Sequence, residues 1–276
     1  MNATFHPRLG CSTISFRHQP LPAALQTIAG LGFTEIDLGA LPGVCDHVPY
    51  VLDEVAVAAV AATVAESGLT VRSINGDVGD LNAALDVAAR AARTAHVEAL
   101  VALAAATGSR ALVLPCGALS HDPLESLDID LDRVATELIW AAGISASAGV
   151  ELWTESLHFH RLCFDIDRAG ALTERVEGRV GIVMDFSHIV ASGGDPVEFV
   201  DRFGPHIAHV HIRDAVPGDI NLSVGNGAVD FGRGLKALAG AGYHSHFALE
   251  LETRDITHDE RPGWAVQTGH LISELI

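Results

Sequence analysis

Val180–Asp214 reads VGIVMDFSHIVASGGDPVEFVDRFGPHIAHVHIRD, and its two short apolar runs each end in polar, metal-capable side chains. The first run, Gly181–Met184, leads into Asp185 and His188; the second, Ile207–Val210, leads into His211, Arg213 and Asp214. Between them a helix-sized segment opens after Gly193-Gly194 with Asp195-Pro196, an N-cap followed by a first-turn proline. A buried strand, a helix and another buried strand form the βαβ unit of a parallel sheet. Ligands in such sheets gather at the carboxyl ends of the strands, and both polar clusters fall there.

The same alternation extends outward in both directions. Upstream, strands are expected at Leu9–Phe16, Phe33–Leu38, Leu69–Ile74, Ala111–Pro115 and Val150–Glu155. Helices are expected between them at Leu21–Leu31, Tyr50–Ser67, Asn82–Thr107 and Leu131–Ser147, with Asp167–Glu177 next; Gly68, Gly108 and Gly149 punctuate them. Downstream, Phe231–Ala241 reads as a helix, Phe247–Glu252 as the eighth strand and Pro262–Ile276 as the closing helix. Eight strand-then-helix units with no linker-like break predict a single α/β domain over residues 1–276, a closed (β/α)8 TIM barrel, which typically takes roughly 250 residues. No G-x-G-x-x-G follows the first strand, which argues against a dinucleotide fold.

Composition narrows the function classes. The apolar fraction of 49% and mean hydropathy of +0.29 supply a sizeable core. With 17 Lys and Arg against 35 Asp and Glu the formal charge is −18, and no basic run offsets it, so nucleic acid is not an expected partner. No apolar stretch reaches the roughly eighteen residues needed to span a bilayer, and MNATFHPRLG has no secretion-signal pattern. Cys11, Cys45, Cys116 and Cys163 are widely spaced and form no CxxC pair, so they read as reduced thiols of a cytoplasmic protein.

Four residues end late strands: Glu155, Asp185, His211 and Glu250. Parallel strands bring such positions around one mouth. Three carboxylates and one imidazole make a mostly oxygen donor set suited to one divalent ion such as Mn²⁺, Mg²⁺ or Co²⁺, with positions left for substrate oxygens. A structural zinc site would favour cysteines. Each of the four, taken alone, also reads as a solvated strand end. His188, beyond its strand, reads as a ligand, a substrate contact or a loop histidine. Arg213 shares its side of the strand with His211 and could meet an anionic substrate or pair with Asp214. Glu252 is the rival of Glu250, His158 and His160 read as loop residues, and Glu35 and Glu151 belong to the bottom or outer face.

The sequence resembles the xylose isomerase-like TIM-barrel superfamily of sugar isomerases and epimerases along nearly its whole length. The resemblance is carried by GFTEIDL (32–38), GVELWTE (149–155), MDFSH (184–188), HVHIRD (209–214), GNGAVDF (225–231), and Gly242-Tyr243 leading to Glu250. It implies that Glu155, Asp185, His211 and Glu250 hold one divalent ion (Mn, Mg, Co or Zn). It also implies that Glu155 and Glu250 act as acid and base on a carbohydrate, and that the residue at His188 contacts substrate or metal. Apurinic-site endonucleases of the same superfamily carry three further histidines; Asn75, Cys116 and Asn221 stand in the corresponding places, against a trinuclear phosphodiesterase. Hydroxypyruvate isomerases carry an Arg and a Glu soon after a Pro-Gly in the loop following the seventh strand, where this chain has Asp219 and Asn221.

The expected function is therefore a metal-dependent isomerase or epimerase acting on a small polyol, ketose or keto-acid through an enediolate. Glu155 and Glu250 would be catalytic, His188 and Arg213 substrate-binding, and the Gly-rich loop Ala215–Val229 a cover for the mouth. An inosose-dehydratase-type lyase on the same site is the alternative. A phosphodiesterase and a non-catalytic sugar-binding barrel stand behind it. The partner is a small carbohydrate, with no membrane or nucleic acid, and a homo-oligomer is left open.

Overall fold

The computed structural model describes residues 4–276. Eight parallel strands close into a barrel: β1 (Leu9–Ser12), β2 (Glu35–Ala40), β3 (Thr70–Gly76), β4 (Ala111–Pro115), β5 (Glu151–Glu155), β6 (Gly181–Asp185), β7 (Ile207–Ile212) and β10 (Phe247–Leu249). The ring runs β1-β10-β7-β6-β5-β4-β3-β2, and each neighbouring pair is parallel. The intervening helices are α1 (Leu21–Leu31), α2 (Glu54–Ser67), α3 (Val87–Thr107), α4 (Leu127–Ser147), α5 (Ile166–Val176), the pair α6 (Phe186–Ala191) and α7 (Pro196–Phe203), α8 (Phe231–Gly240) and α9 (Arg261–Leu275). A hairpin, β8 (Asp214–Val216) with β9 (Asp219–Leu222), rises from the end of β7. Among the described residues no helix is long and apolar enough to cross a membrane.

The main core lies between the barrel's outer face and the helices, where Ile36, Leu38, Leu112, Leu152, Ile182 and Val210 meet the apolar stripes of the helices. Inside the barrel a small apolar plug of Ala111, Val113, Trp153 and Val183 closes one part of the channel. Trp153 stacks on His209 with centroids 5.5 Å apart. All four cysteines are buried and free.

The helix starts are set by caps. Asp53, Asp86, Ser126 and Asp165 each accept a backbone N–H from the first turn, contributing about 1 kcal/mol apiece. These caps correct four expected boundaries. α2 begins at Glu54 rather than Tyr50, and α3 at Val87 rather than Asn82. α4 begins at Leu127 rather than Leu131, and α5 at Ile166 rather than Asp167. Gly68 and Gly108 take φ of 72° and 68° and close α2 and α3, as helix-ending glycines do.

Two strands are shorter than their apolar patterns. β1 stops at Ser12, whose hydroxyl accepts the N–H of Ile14 and turns the chain into a 3-10 helix over Thr13–Phe16. β10 stops at Leu249, because Ser15 Oγ donates to the Leu249 carbonyl and accepts the Leu251 N–H in place of a neighbouring strand. Glu250 therefore lies just past the strand. A short helix, α6, was not expected; Asp185 starts it by accepting the N–H groups of Ser187 and His188.

Candidate metal centre

The carboxyl ends of the strands open into a cavity of about 300 Å³. Glu155, His188, Arg213 and Glu250 line it, together with Ile220 and Asn221 of the β8–β9 hairpin. Asp214, at the base of that hairpin, ties down the loop that follows it. Its buried carboxylate accepts from the backbone N–H groups of Ala215, Gly225, Gly227 and Val229. A Cβ at Gly227 would collide with that carboxylate, so glycine is required there by close approach. Asp214 is thus committed to that loop and does not pair with Arg213.

Each strand delivers one donor from its end. β5 supplies Glu155, β6 Asp185, β7 His211, and the turn after β10 supplies Glu250. The ligand atoms of these four all lie within 4.8 Å of one another. His211 is central: its Nδ1 is 3.1 Å from Glu155 Oε1 and 3.2 Å from Glu250 Oε2. Two ligands at roughly 2.1 Å from one ion, at angles between 90° and tetrahedral, lie about 3.0–3.4 Å apart. The spacing and the three-oxygen, one-nitrogen donor set therefore fit a divalent ion. Asp37, His209 and His211 form a second group that could hold an ion, and Glu155, His158 and His188 a third.

Arg213 is buried against the same carboxylates. Its Nη2 lies 3.2 Å from Asp185 Oδ2 and 3.8 Å from Glu250 Oε2, its Nη1 is 3.4 Å from Glu252 Oε2, and its Nε donates to Ser187 Oγ at 2.9 Å. Burial works against its charge, but Asp185 and the two glutamates outweigh it and hold the guanidinium protonated. Glu252 is occupied between Arg213 and Arg17, outside the four-residue group.

His188 sits on α6 rather than on a loop. Its Nδ1 accepts the Phe159 N–H at 3.1 Å and its Nε2 is 3.0 Å from Arg213 Nη2. Burial, then the Arg213 charge, pushes it well below the usual imidazole range, so it stays neutral. His158 packs on it with centroids 3.8 Å apart and is likewise depressed, by burial and then by His188. The His160 N–H donates to His158 Nδ1 at 3.2 Å, which leaves the proton on Nε2, 3.9 Å from Glu155 Oε2.

Electrostatics at the centre are those of crowded acids. Burial raises Glu155, and the charges of Glu250 and Asp185 raise it further against the hydrogen bond to His211. Burial alone would lower His211, but the Glu250 charge and the close carboxylates of Asp37, Glu155 and Glu250 push it well above its ordinary value. An ion on Nδ1 must displace that proton. Apparent metal affinity is therefore expected to rise with pH, by up to about tenfold per unit for each proton displaced, and to level off above the raised His211 value. Calorimetry in buffers of different ionisation enthalpy reads the released proton directly; a pH-independent affinity would contradict this arrangement.

The structure thus brings together the four residues expected as ligands, with His188 and Arg213 beside them. Glu35 and Glu151 lie away from the mouth, bonded to His246 and Arg110. His158 lies on a loop, as expected, and that loop folds back so that it lines the cavity beside Glu155. Sequence reasoning passed over two contributors. Asp37 and His209 lie inside the barrel, both fully buried. Asp37 had a readable signal: Ile36 and Leu38 face the helices, so the acid between them must face the barrel interior.

Comparison with known proteins agrees with this architecture. The chain is 35% identical over 107 residues to the rhizopine catabolism protein MocC of Rhizobium meliloti, 32% of each chain. It is 34% identical over 73 residues to an inosose dehydratase of Clostridium botulinum, 26% of this chain and 24% of that one. These matches span only about a quarter to a third of the curated relatives' own length. Among solved structures, IolI with a bound zinc atom superposes with a TM-score of 0.76 at 18% identity, covering 98% of this chain and 99% of that one. The 3-keto-D-glucoside 4-epimerase YcjR of E. coli superposes with 0.75 at 19% identity, again covering 98% and 99%. The family model for the xylose isomerase-like TIM barrel matches residues 25–273, and the chain belongs to that family.

Proposed function

We propose that the protein is a divalent-metal-dependent isomerase or epimerase that moves a proton at the carbon beside the carbonyl of a small polyhydroxylated substrate. The observation that carries this reading is the convergence of Glu155 and Glu250 on one nitrogen of His211, at 3.1 and 3.2 Å, with Asp185 in the same group. An ion held by Glu155, Asp185, His211 and Glu250 would supply Lewis-acid stabilisation of the negative charge that develops on the substrate oxygens.

The chain's own groups do the rest. Glu155, raised by burial and by neighbouring acids, is suited to take a proton from carbon and hold it. Glu250 is the second carboxylate, able to return a proton to the same carbon or its neighbour. His158 offers an Nε2–H beside Glu155, and Arg213 a permanently charged donor; both can bind and orient substrate hydroxyls. The β8–β9 hairpin puts Ile220 and Asn221 against the cavity and limits water there. His188, kept neutral, packs beside Arg213, its Nε2 3.0 Å from Nη2.

The likeness to an inosose dehydratase supports a second reading on the same residues. A lyase would begin with the same proton abstraction and then expel a β-hydroxyl as water. A phosphodiesterase is disfavoured because Asn75, Cys116 and Asn221 offer no further histidine ligands and because the chain carries −18 net charge. Incubating the metal-loaded protein with a panel of ketoses, keto-acids and inososes, followed by product analysis, tests the proposal. An epimer or aldose–ketose pair is the expected outcome. A dehydrated product would favour the lyase, and no conversion of any carbohydrate in the panel would count against both.

A further inference from the structure

We infer that Asp37, inside the barrel on β2, is the positioning residue that presents His211 to the ion. This rests on the metal-centre reading and adds a residue outside the donor set. Asp37 is fully buried, and its Oδ1 accepts the Ser73 hydroxyl at 2.9 Å. Its Oδ2 is 2.7 Å from His209 Nε2 and 3.3 Å from His211 Nε2. The His211 ring therefore has Asp37 at one nitrogen and Glu155 and Glu250 at the other. An imidazole that binds metal through Nδ1 must carry its proton on Nε2. In this structure His211 Nε2 makes no hydrogen bond, and Asp37 Oδ2, 3.3 Å away, is the carboxylate placed to receive its proton once Nδ1 is taken by an ion. A carboxylate behind a metal-bound imidazole fixes the tautomer and ring orientation and strengthens the donor.

The same distances bear on whether Asp37, His209 and His211 form an ion site of their own. Two ligands at roughly 2.0–2.1 Å from a tetrahedral ion lie about 3.3 Å apart. Asp37 Oδ2 and His209 Nε2, at 2.7 Å, stand at hydrogen-bond length instead. His209 Nδ1 has no partner among the described residues, which leaves its Nε2 to donate to Asp37. His209 and Ser73 thus hold the Asp37 carboxylate in place, facing His211 Nε2.

The test is Zn²⁺ affinity of wild type, Asp37→Asn and Ser73→Ala at fixed pH, read by competition with a chromogenic chelator. It is paired with ¹⁵N spectra of the histidine rings in the zinc-loaded proteins. Asp37→Asn is expected to weaken Zn²⁺ binding by about 10–100-fold, with the His211 Nε2–H resonance shifted from its wild-type position. Ser73→Ala keeps the carboxylate but removes its hydroxyl partner, so it should move both readouts the same way by less. A purely structural role would lower melting temperature and leave both unchanged. Unaltered affinity and unaltered His211 signals in folded variants would overturn the assignment while leaving the metal centre standing. Failure of the wild type to bind any ion would overturn the centre itself, and the role of Asp37 with it. Should Asp37→Asn not fold, Ser73→Ala decides: no loss of affinity there contradicts the inference.

Discussion

Glu250→Gln is expected to end turnover, whereas Glu252→Gln should leave a working enzyme. The two acids are two residues apart, and sequence alone leaves them rivals. In the fold Glu250 joins the four-residue group and approaches His211 Nδ1 at 3.2 Å. Glu252 is held between Arg17 and Arg213. An amide cannot accept the transferred proton, and general acid–base catalysis contributes roughly 10²–10⁴-fold, so Glu250→Gln should cost at least that much in kcat. Glu252→Gln loses the ion pairs to Arg17 and Arg213, both outside the four-residue group, and should reduce kcat/KM only several-fold. Steady-state kinetics of both variants with metal occupancy measured alongside make the comparison. The reverse order would move the centre one strand repeat outward.

The second large effect is on the ion. His211→Ala should abolish stoichiometric uptake, because the ring is the single nitrogen donor and the nearest contact of both glutamates. Asp185→Ala should do the same, with an added cost. Asp185 Oδ1 accepts the N–H and the hydroxyl of Ser187, both at 2.6 Å, so the alanine also uncaps α6. Asp185→Asn separates the two roles, keeping an acceptor for the cap while giving a weaker ligand. In the wild type, ion at a hundredfold excess over its Kd should stabilise the fold by about 2.7 kcal/mol. That gain, read as a rise in Tm, should be absent from His211→Ala. Full occupancy in both alanine variants would remove the proposed cluster.

Much of the barrel can be read in the chain because its punctuation is local. β4 runs from Ala111 to Pro115 and β6 from Gly181 to Asp185, bounded by residues that stop or redirect a strand. The start of α2 differs because Tyr50 and Val51, apolar but outside the helix, look like part of its stripe while the cap at Asp53 decides the boundary; α4 and α5 instead begin earlier than expected, at the Ser126 and Asp165 caps. Strand ends at β1 and β10 were misread because Ser12 and Ser15 replace ladder hydrogen bonds with side-chain ones. The four residues that the fold gathers at the mouth were legible as polar residues terminating successive apolar runs. His158 was not, because its position depends on how the chain after β5 folds against α6, a contact between residues 158 and 188 that no local pattern encodes. The partner of Arg213 was likewise set at long range, by Asp185 and the two glutamates rather than by its neighbour Asp214.

If Glu155 and Glu250 move a proton at carbon beside a held ion, solvent deuterium will report it. A substrate converted in D₂O should gain deuterium at the carbon next to its carbonyl, since a carboxylate that has taken the proton exchanges it with solvent between turnovers. The amount depends on how well the β8–β9 hairpin shields Glu155, so the presence of label, rather than its extent, is the readout. Glu155→Gln should suppress both incorporation and turnover by roughly 10²–10⁴-fold. Conversion by the wild type with neither deuterium incorporation nor a primary isotope effect at that carbon would rule out proton transfer by these carboxylates, as would near wild-type turnover by Glu155→Gln.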